Sequence, residues 1–123
     1  PAFFAHSRYR FQLRANPTRR ENASRKRLPL RTVEEQKAWL MRKATQGGFI
    51  IDGDALQILP IGREWFRIEK RGQQGVHHAV DFEGVLKVVD RTLFQEAFAR
   101  GIGSAKGFGF GLLALAPVAP ETL

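Results

Sequence analysis

Residues 8–16 alternate strictly between polar and apolar side chains, and this run constrains the fold more than any other stretch. The apolar set is Tyr9, Phe11, Leu13 and Ala15, and the polar set is Arg8, Arg10, Gln12 and Arg14. A period of two predicts a strand with one face in the core and the other open. Because same-face neighbours on a strand lie about 6.6 Å apart, the arginines are expected to form a cationic row suited to a phosphate backbone. An ordinary solvent-exposed face is the alternative.

The positive charge is concentrated in the first quarter of the chain. Residues 1–31 hold nine Lys and Arg against one Glu, whereas residues 32–123 hold eleven basic and eleven acidic residues. Concentrated cationic charge favours a polyanion partner, because neutralised phosphates release counterions. We therefore favour a nucleic acid over a solubilising tail; a targeting signal at residues 25–27 is a further alternative.

Residues 16–31 continue the basic character without periodicity. Pro17 ends the strand, and Pro29 excludes a helix there. We predict a mobile basic loop that orders on binding a polyanion, with Arg19 and Arg20 among the contacts.

The composition bounds the class of protein. The 123 residues fit one domain, and a hydrophobic fraction of 43% is sufficient for a core. No apolar run reaches the length of about 18 residues that a membrane helix requires, so we expect no membrane partner. The absence of cysteine excludes disulfides and thiolate metal sites and suits a reducing, cytoplasmic compartment. Asp52 and Asp54 flank a turn glycine and are interpreted as turn formers, so no metal and no cofactor is predicted.

Two helices are predicted. Thr32 and Glu35 form a capping box that begins the first helix, and the Gly47-Gly48 pair ends it. Its predicted apolar face consists of Val33, Lys37, Leu40, Met41 and Ala44. Asp90 begins the second helix and Gly101 ends it.

A β-hairpin and a final strand complete the pattern. Residues 63–71 alternate, residues 72–75 break the pattern, and alternation resumes at His77, which indicates a hairpin with Lys70 and Arg71 at its tip. Residues 110–116 are apolar on both faces, as in a central strand. The resulting order βαββαβ predicts an α+β, ferredoxin-like single domain over residues 1–123 with an extra β-hairpin.

Residues 101–113 contain five of the twelve glycines. Glycine accepts positive φ and lets a ligand approach the backbone, so a close-fitting loop is predicted, with Gly101 and Gly103 at its start. The N–H groups of such a loop favour anions, and Ser104 and Lys106 lie within it.

Three known glycine motifs do not fit this segment. A dinucleotide fingerprint would need glycine in place of Lys106, and a phosphate-binding P-loop would need a Gly-Lys-Ser/Thr triplet. Residues 106–110 match the opening of an RNA recognition motif signature, which Gly111 and Leu113 then break.

The chain as a whole resembles the carboxy-terminal half of the CasE family, the CRISPR-associated endoribonuclease of the type I-E Cascade complex. The matching segments are residues 9–18, 38–43, 82–86, 101–106 and 109–117. The resemblance implies a fold of the RAMP type, with two ferredoxin-like domains in tandem and a CRISPR repeat RNA stem-loop bound across them. It also implies metal-independent attack of a ribose 2′-hydroxyl on the adjacent phosphate, leaving a cyclic phosphate, and retention of the product as a Cascade subunit.

The resemblance suggests further RNA contacts. A basic hairpin of the carboxy-terminal domain enters the groove of the RNA stem in this family, and the matching candidates are Arg67, Lys70 and Arg71. Ser104 and Lys106 would approach RNA phosphates from the glycine segment.

The family's catalytic histidine belongs to the amino-terminal half, and this chain is expected to lack that domain. His77 and His78 point to opposite faces of a strand and cannot form a dyad, and His6 matches no catalytic position, so no catalytic residue is assigned. We expect the chain to bind RNA weakly and not to cleave it alone. A non-catalytic RNA-binding module and a protein-docking module remain the alternatives.

Overall fold

The computed structural model describes residues 7–20, 27–68, 73–103 and 111–118, with the backbone alone at residues 27, 62–68 and 73–78. The elements in chain order are β1 (Arg8–Ala15), β2 (Thr18–Arg20), β3 (Arg27–Pro29), α1 (Val33–Gln46), β4 (Phe49–Ile51), β5 (Gln57–Ile68), β6 (Gln73–Val88), α2 (Arg91–Arg100) and β7 (Leu113–Pro117).

The main sheet is antiparallel and centres on β1 and β6. Strand β1 pairs with β6 on one side and with β7 on the other. Strands β4 and β5 pair with opposite ends of β6, so together they occupy one sheet position. The sheet order is therefore β4/β5, β6, β1, β7, with β1, α1, β4/β5, β6, α2 and β7 following one another in the chain. This is the ferredoxin-like arrangement, which confirms the predicted α+β fold. In the described part of the sheet β7 pairs with β1 alone and is partly exposed, so the prediction of a central strand at residues 110–116 was wrong.

The two helices cover one face of the sheet. Strand β1 alternates as predicted, with its apolar set buried and its polar set exposed. On the buried side the ring of Phe94 in α2 stacks on Tyr9 with centroids 6.0 Å apart and meets Phe49 edge-on at 5.5 Å. Trp39 of α1 stacks on Phe82 of β6 at 5.9 Å. The opposite face of the sheet is left open by both helices.

Helix α1 begins where predicted, but its buried face is rotated from the predicted one. The Thr32 hydroxyl accepts the N–H of Glu35 at 3.1 Å, as the capping box requires. The expected inward positions Val33 and Lys37 are exposed, whereas Gln36 is buried. The side-chain Nε2 of Gln36 donates to the carbonyl of Leu30 at 3.0 Å, because the chain leading into the helix lies over its first turn. The prediction for these inward positions was wrong.

The described residues of segment 16–31 include two short strands, which the sequence did not predict. Strands β2 and β3 pair as a short antiparallel ribbon, in which Thr18 lies opposite Pro29 and Arg20 opposite Arg27. The base of the ribbon is closed by the N–H of Leu30, which donates to the carbonyl of Pro17 at 3.0 Å. Residues 21–26 of the predicted mobile loop lie outside the described residues. The described part of this segment is thus a β-ribbon rather than an irregular loop.

Candidate nucleic-acid interface

The open face of the sheet carries the polar set of β1. The register of β1 against β6 decides which β6 side chains lie beside that set. Arg8 lies opposite Lys87, and Arg10 lies opposite Val85. This combination makes one end of the open face cationic. The sequence pattern indicated the two arginines, but the contribution of Lys87 depends on the pairing of β1 with β6.

The other end of the open face is mixed in charge. Asp81 of β6 lies opposite Arg14. Its carboxylate accepts bonds from Arg14 Nε at 2.9 Å and from Nη2 at 3.2 Å, a two-point ion pair. The prediction of a row of guanidinium groups with no acid beside it is therefore wrong at Arg14. The Arg14 side chain still keeps 48% of its surface exposed, so we expect the pair to contribute about 1 kcal/mol or less to stability.

A shallow cavity of about 500 Å³ lies between these two ends. Arg10, Gln12, Gln57 and Glu83 supply its polar lining, and Ala114 belongs to its apolar lining. Arg10 is exposed at this cavity, and a side chain must be exposed to contact a phosphate.

If the open face contacts RNA phosphates, Asp81→Asn should strengthen that binding at low salt, because Arg14 would lose a competing carboxylate and would be available to a phosphate. The dependence of log K on log salt should steepen by about one unit, and the free energy of unfolding should fall by about 1 kcal/mol or less. Fluorescence anisotropy in a salt series and urea unfolding measure the two effects. Glu83→Gln is the matched control, because it removes one carboxylate from the same face and keeps the Arg14–Asp81 pair. An equal steepening in both variants would contradict the role given to Asp81.

The ribbon adds a second group of cationic side chains. Arg19 and Arg20 of β2 are both exposed, and their role as polyanion contacts remains a prediction. The ribbon follows directly from β1 through buried Asn16 and Pro17, so its position is fixed by the end of the strand that carries Arg14.

The two ends of the glycine segment are tied together at β1. The N–H of Ile102 donates to the carbonyl of Gly111 at 2.9 Å, and the N–H of Gly111 donates to the carbonyl of Arg14 at 2.8 Å. The predicted contacts Gly101 and Gly103 both have positive φ, of 88° and 90°. A Cβ at Gly103 would stand 2.8 Å from Trp39 Cζ2, so this glycine is required for packing as well as for backbone conformation.

Several predicted contacts lie beyond what the structure describes. Lys70, Arg71, Ser104 and Lys106 are outside the described residues. The backbone of Arg67 pairs with that of Gln74 near the end of the β5–β6 hairpin, but its side chain is not described. The same holds for the side chains of the two adjacent histidines of β6. The roles of these residues remain predictions.

The described residues contain no cluster of three or more His, Cys, Asp or Glu side chains that could hold a metal ion. None of the helices in the described ranges is long and apolar enough to cross a membrane.

Comparison with known families decides the classification. The family model described as "CRISPR associated protein" matches residues 1–117. The chain belongs to this family. Two curated relatives of this CRISPR-associated protein are the CRISPR-associated endoribonuclease Cse3 of Thermus thermophilus and the CRISPR system Cascade subunit CasE of Escherichia coli K12. Cse3 is 38% identical over an alignment of 125 positions, which covers 95% of this chain and 59% of the relative. CasE is 35% identical over an alignment of 119 positions, which covers 88% of this chain and 57% of the relative.

A solved structure supports the same relationship. The chain superimposes on CRISPR endoribonuclease Cse3 bound to a 19 nt RNA with a TM-score of 0.82 and 40% sequence identity. The match covers 91% of this chain and 57% of that chain. The resemblance to the CasE family is confirmed. The chain spans about three fifths of the length of the curated relatives it matches.

Proposed function

We propose that this chain is the RNA-binding, carboxy-terminal part of an endoribonuclease that processes CRISPR precursor RNA. The observation that carries the proposal is the likeness, at 40% identity, to a Cse3 whose structure was solved with RNA bound. The cationic end of the open face and the exposed arginines of the ribbon support it, because neutralising phosphates is the main source of affinity for RNA.

The proposed RNA contacts fall into three groups. The strand and ribbon residues are Arg10, Arg14, Arg19 and Arg20; the hairpin residues are Arg67, Lys70 and Arg71; the glycine-segment residues are Gly101, Gly103, Ser104 and Lys106. The first group would follow the phosphate backbone, the second would enter the groove of the stem, and the third would bring backbone N–H groups and a cation to phosphates.

The chemistry of the complete enzyme is proposed to use the substrate's own nucleophile. The ribose 2′-hydroxyl attacks the adjacent phosphorus, the 5′-oxygen of the next nucleotide leaves, and a 2′,3′-cyclic phosphate remains. We assign the general base to an amino-terminal domain outside this chain and none to its histidines. The processed RNA then stays bound as the enzyme takes its place among the other Cascade subunits, as the name of the Escherichia coli relative suggests.

A labelled CRISPR-repeat RNA hairpin tests the proposal, incubated in EDTA with this chain and, in parallel, with the complete protein. Gel electrophoresis separates the products, and acid treatment identifies a cyclic phosphate end. We expect the chain to bind the hairpin without cutting it and the complete protein to cut it to a cyclic phosphate. Efficient cutting by the chain alone, or no binding by the chain at low salt, would contradict the proposal.

Arg10→Ala should weaken hairpin binding and reduce the slope of log K against log salt by about one unit, because one phosphate contact is lost. Arg14→Ala should reduce it by less, since the Arg14 guanidinium is already shared with Asp81. The control is Arg91→Ala, which removes the same charge from an exposed arginine at the start of α2. If Arg91→Ala changes the slope as much as Arg10→Ala, net charge rather than contact at the open face explains the effect.

A protein-docking role is the second candidate, and exposed apolar side chains favour it. Leu59 lies opposite Asp81 on the open face with 48% of its surface exposed, and Leu112 before β7 is 72% exposed. Contiguous exposed apolar patches mark protein contacts, and these two leucines would belong to such a patch if the open face docks a partner. Leu59→Ser would weaken assembly with Cascade subunits and leave hairpin affinity unchanged if the open face is a docking surface.

A further inference from the structure

A small cleft lies on the helix side of the sheet, where the carboxy-terminal ends of α1 and α2 meet. Its volume is about 110 Å³, and Lys43, Gln46, Arg100 and the start of the glycine segment line it. A Cβ added at Gly47 would lie 3.1 Å from the Cβ of Ala97, so the two helix ends approach with no side chain between them. The close approach of the helix ends thus fixes the backbone part of the cleft, whereas the side chains of Gln46 and Arg100, which also line it, are exposed.

The cleft is electropositive in its side chains. Lys43 is the basic residue in the last turn of α1, and Arg100 is the basic residue in the last turn of α2. Among the described residues that line the cleft, none is acidic. A single cation near a helix end commonly offsets the negative end of the helix dipole. Here each helix end carries one such cation, and the fold brings both cations to the lining of the same cleft.

Hydrogen bonds already occupy carbonyl groups of both helix ends, which lowers their repulsion of an anion. The N–H of Gly47 donates to the carbonyls of Lys43 at 2.9 Å and Ala44 at 3.1 Å. The N–H of Gly101 donates to the carbonyl of Ala97 at 2.9 Å.

Trp39 holds two parts of the cleft in place. The Nζ of Lys43 lies 5.9 Å from the centroid of the Trp39 ring, within the range of a cation–π contact. The backbone at Gly103 packs against the same ring, closely enough that a Cβ there would stand 2.8 Å from Cζ2. Because Trp39 is buried and stacked on Phe82, the ammonium group and the glycine backbone are both positioned by the core.

We propose that this cleft binds a phosphoryl group, with Lys43 and Arg100 as cationic ligands and the amide of Gln46 as a neutral donor. The guanidinium offers a planar pair of N–H donors to phosphate oxygens, and the lysine offers a point charge. Gly101, where the glycine segment begins, lines the cleft, so the phosphoryl group is assigned to the backbone of the bound RNA. That assignment rests on the proposed function, whereas binding of the phosphoryl group does not.

Inorganic phosphate tests the cleft itself. In ¹⁵N NMR titrations, phosphate should shift the amide signals of Gly101 and Gly103, and Lys43→Gln or Arg100→Gln should each weaken this binding about tenfold. Arg100→Lys should fall between Arg100→Gln and the parent, because it keeps the charge but loses the fork. Arg91→Gln, at the other end of α2, is the matched control and should titrate like the parent. Absence of shifts at the two glycines, or equal weakening by Arg91→Gln, would overturn the proposal.

Hairpin binding tests the source of the phosphoryl group. Arg100→Gln should lower affinity for a CRISPR-repeat RNA hairpin about tenfold and reduce the salt slope by about one unit. If phosphate binding is lost but hairpin affinity is unchanged, the assignment to RNA is wrong and the cleft takes free phosphate. If the parent chain does not bind the hairpin at all, the proposed function is wrong. The phosphate titration still shows whether the cleft binds a phosphoryl group. Thermal unfolding of each variant shows whether the fold is retained. If Lys43→Gln unfolds, the phosphate titration of Arg100→Lys still tests whether the cleft binds phosphate.

Discussion

Replacing Phe94 by alanine is expected to lower the free energy of unfolding by about 3–5 kcal/mol, the usual cost of deleting a buried phenyl ring. Phe94 is fully buried and contacts two aromatic rings, Tyr9 of β1 and Phe49 of β4. It thereby joins α2 to two strands of the sheet. Neither Tyr9 nor Phe49 alone can fill the cavity that removal of the phenyl ring would leave. Urea unfolding followed by circular dichroism measures the change.

Leu93→Ala is the control, since Leu93 precedes Phe94 on the same helix but is 40% exposed. Its cost should remain near or below about 1 kcal/mol, as for other partly exposed positions. Similar losses in the two variants would contradict the placement of the core on the inner side of α2.

Replacing Gly111 by alanine is expected to destabilise the chain and to weaken RNA binding together. Gly111 has a φ of 89°, which costs other residues about 1–3 kcal/mol. In addition, a Cβ there would stand 2.5 Å from the carbonyl oxygen of Ile102, so the backbone must move. The displaced backbone carries the N–H that donates to Arg14, and the base of the glycine segment would therefore separate from β1. Urea unfolding and hairpin anisotropy measure the two effects.

Gly53→Ala is the matched control for Gly111→Ala. A Cβ at Gly53 meets only the flexible end of Lys37, at 3.5 Å from its Nζ. Alanine at a compatible glycine position leaves stability unchanged or raises it by about 0.4–1 kcal/mol. A Gly111→Ala variant as stable as Gly53→Ala, or one with unchanged hairpin affinity, would show that the base of the segment does not depend on this glycine.

The sequence predicts those parts of the fold that depend on local pattern. The alternation of β1 indicates which of its side chains are buried, and Thr32 and Asp90 mark the helix starts, because periodicity and capping are properties of neighbouring residues. The Asp90 carboxylate accepts the N–H of Leu93 at 3.0 Å, as expected.

The charge distribution of the open face could not be predicted in the same way. Arg14 and Asp81 are 67 residues apart, and only the register of β1 against β6 brings them together. A shift of that register by one residue would move the carboxylate to the other face of the sheet. The same register adds Lys87 to the cationic end, and no local feature of the sequence indicates it.

The rotated face of α1 has a similar cause. Val33 is more hydrophobic than Gln36, so hydrophobicity alone favours burying Val33. The helical period allows either residue to face inward. The chain that leads in from the ribbon places the Leu30 carbonyl where it accepts a hydrogen bond from the buried Gln36 amide, a tertiary contact that the helical pattern does not contain.

Fluorescence anisotropy in a salt series can compare the binding of two RNAs of equal length, a CRISPR-repeat hairpin and a scrambled sequence that does not fold. We expect tighter binding of the hairpin and an affinity for it that falls steeply as salt rises, because the protein neutralises several phosphates on a folded stem. Equal affinity for the two RNAs, or hairpin affinity that does not change with salt, would contradict this expectation.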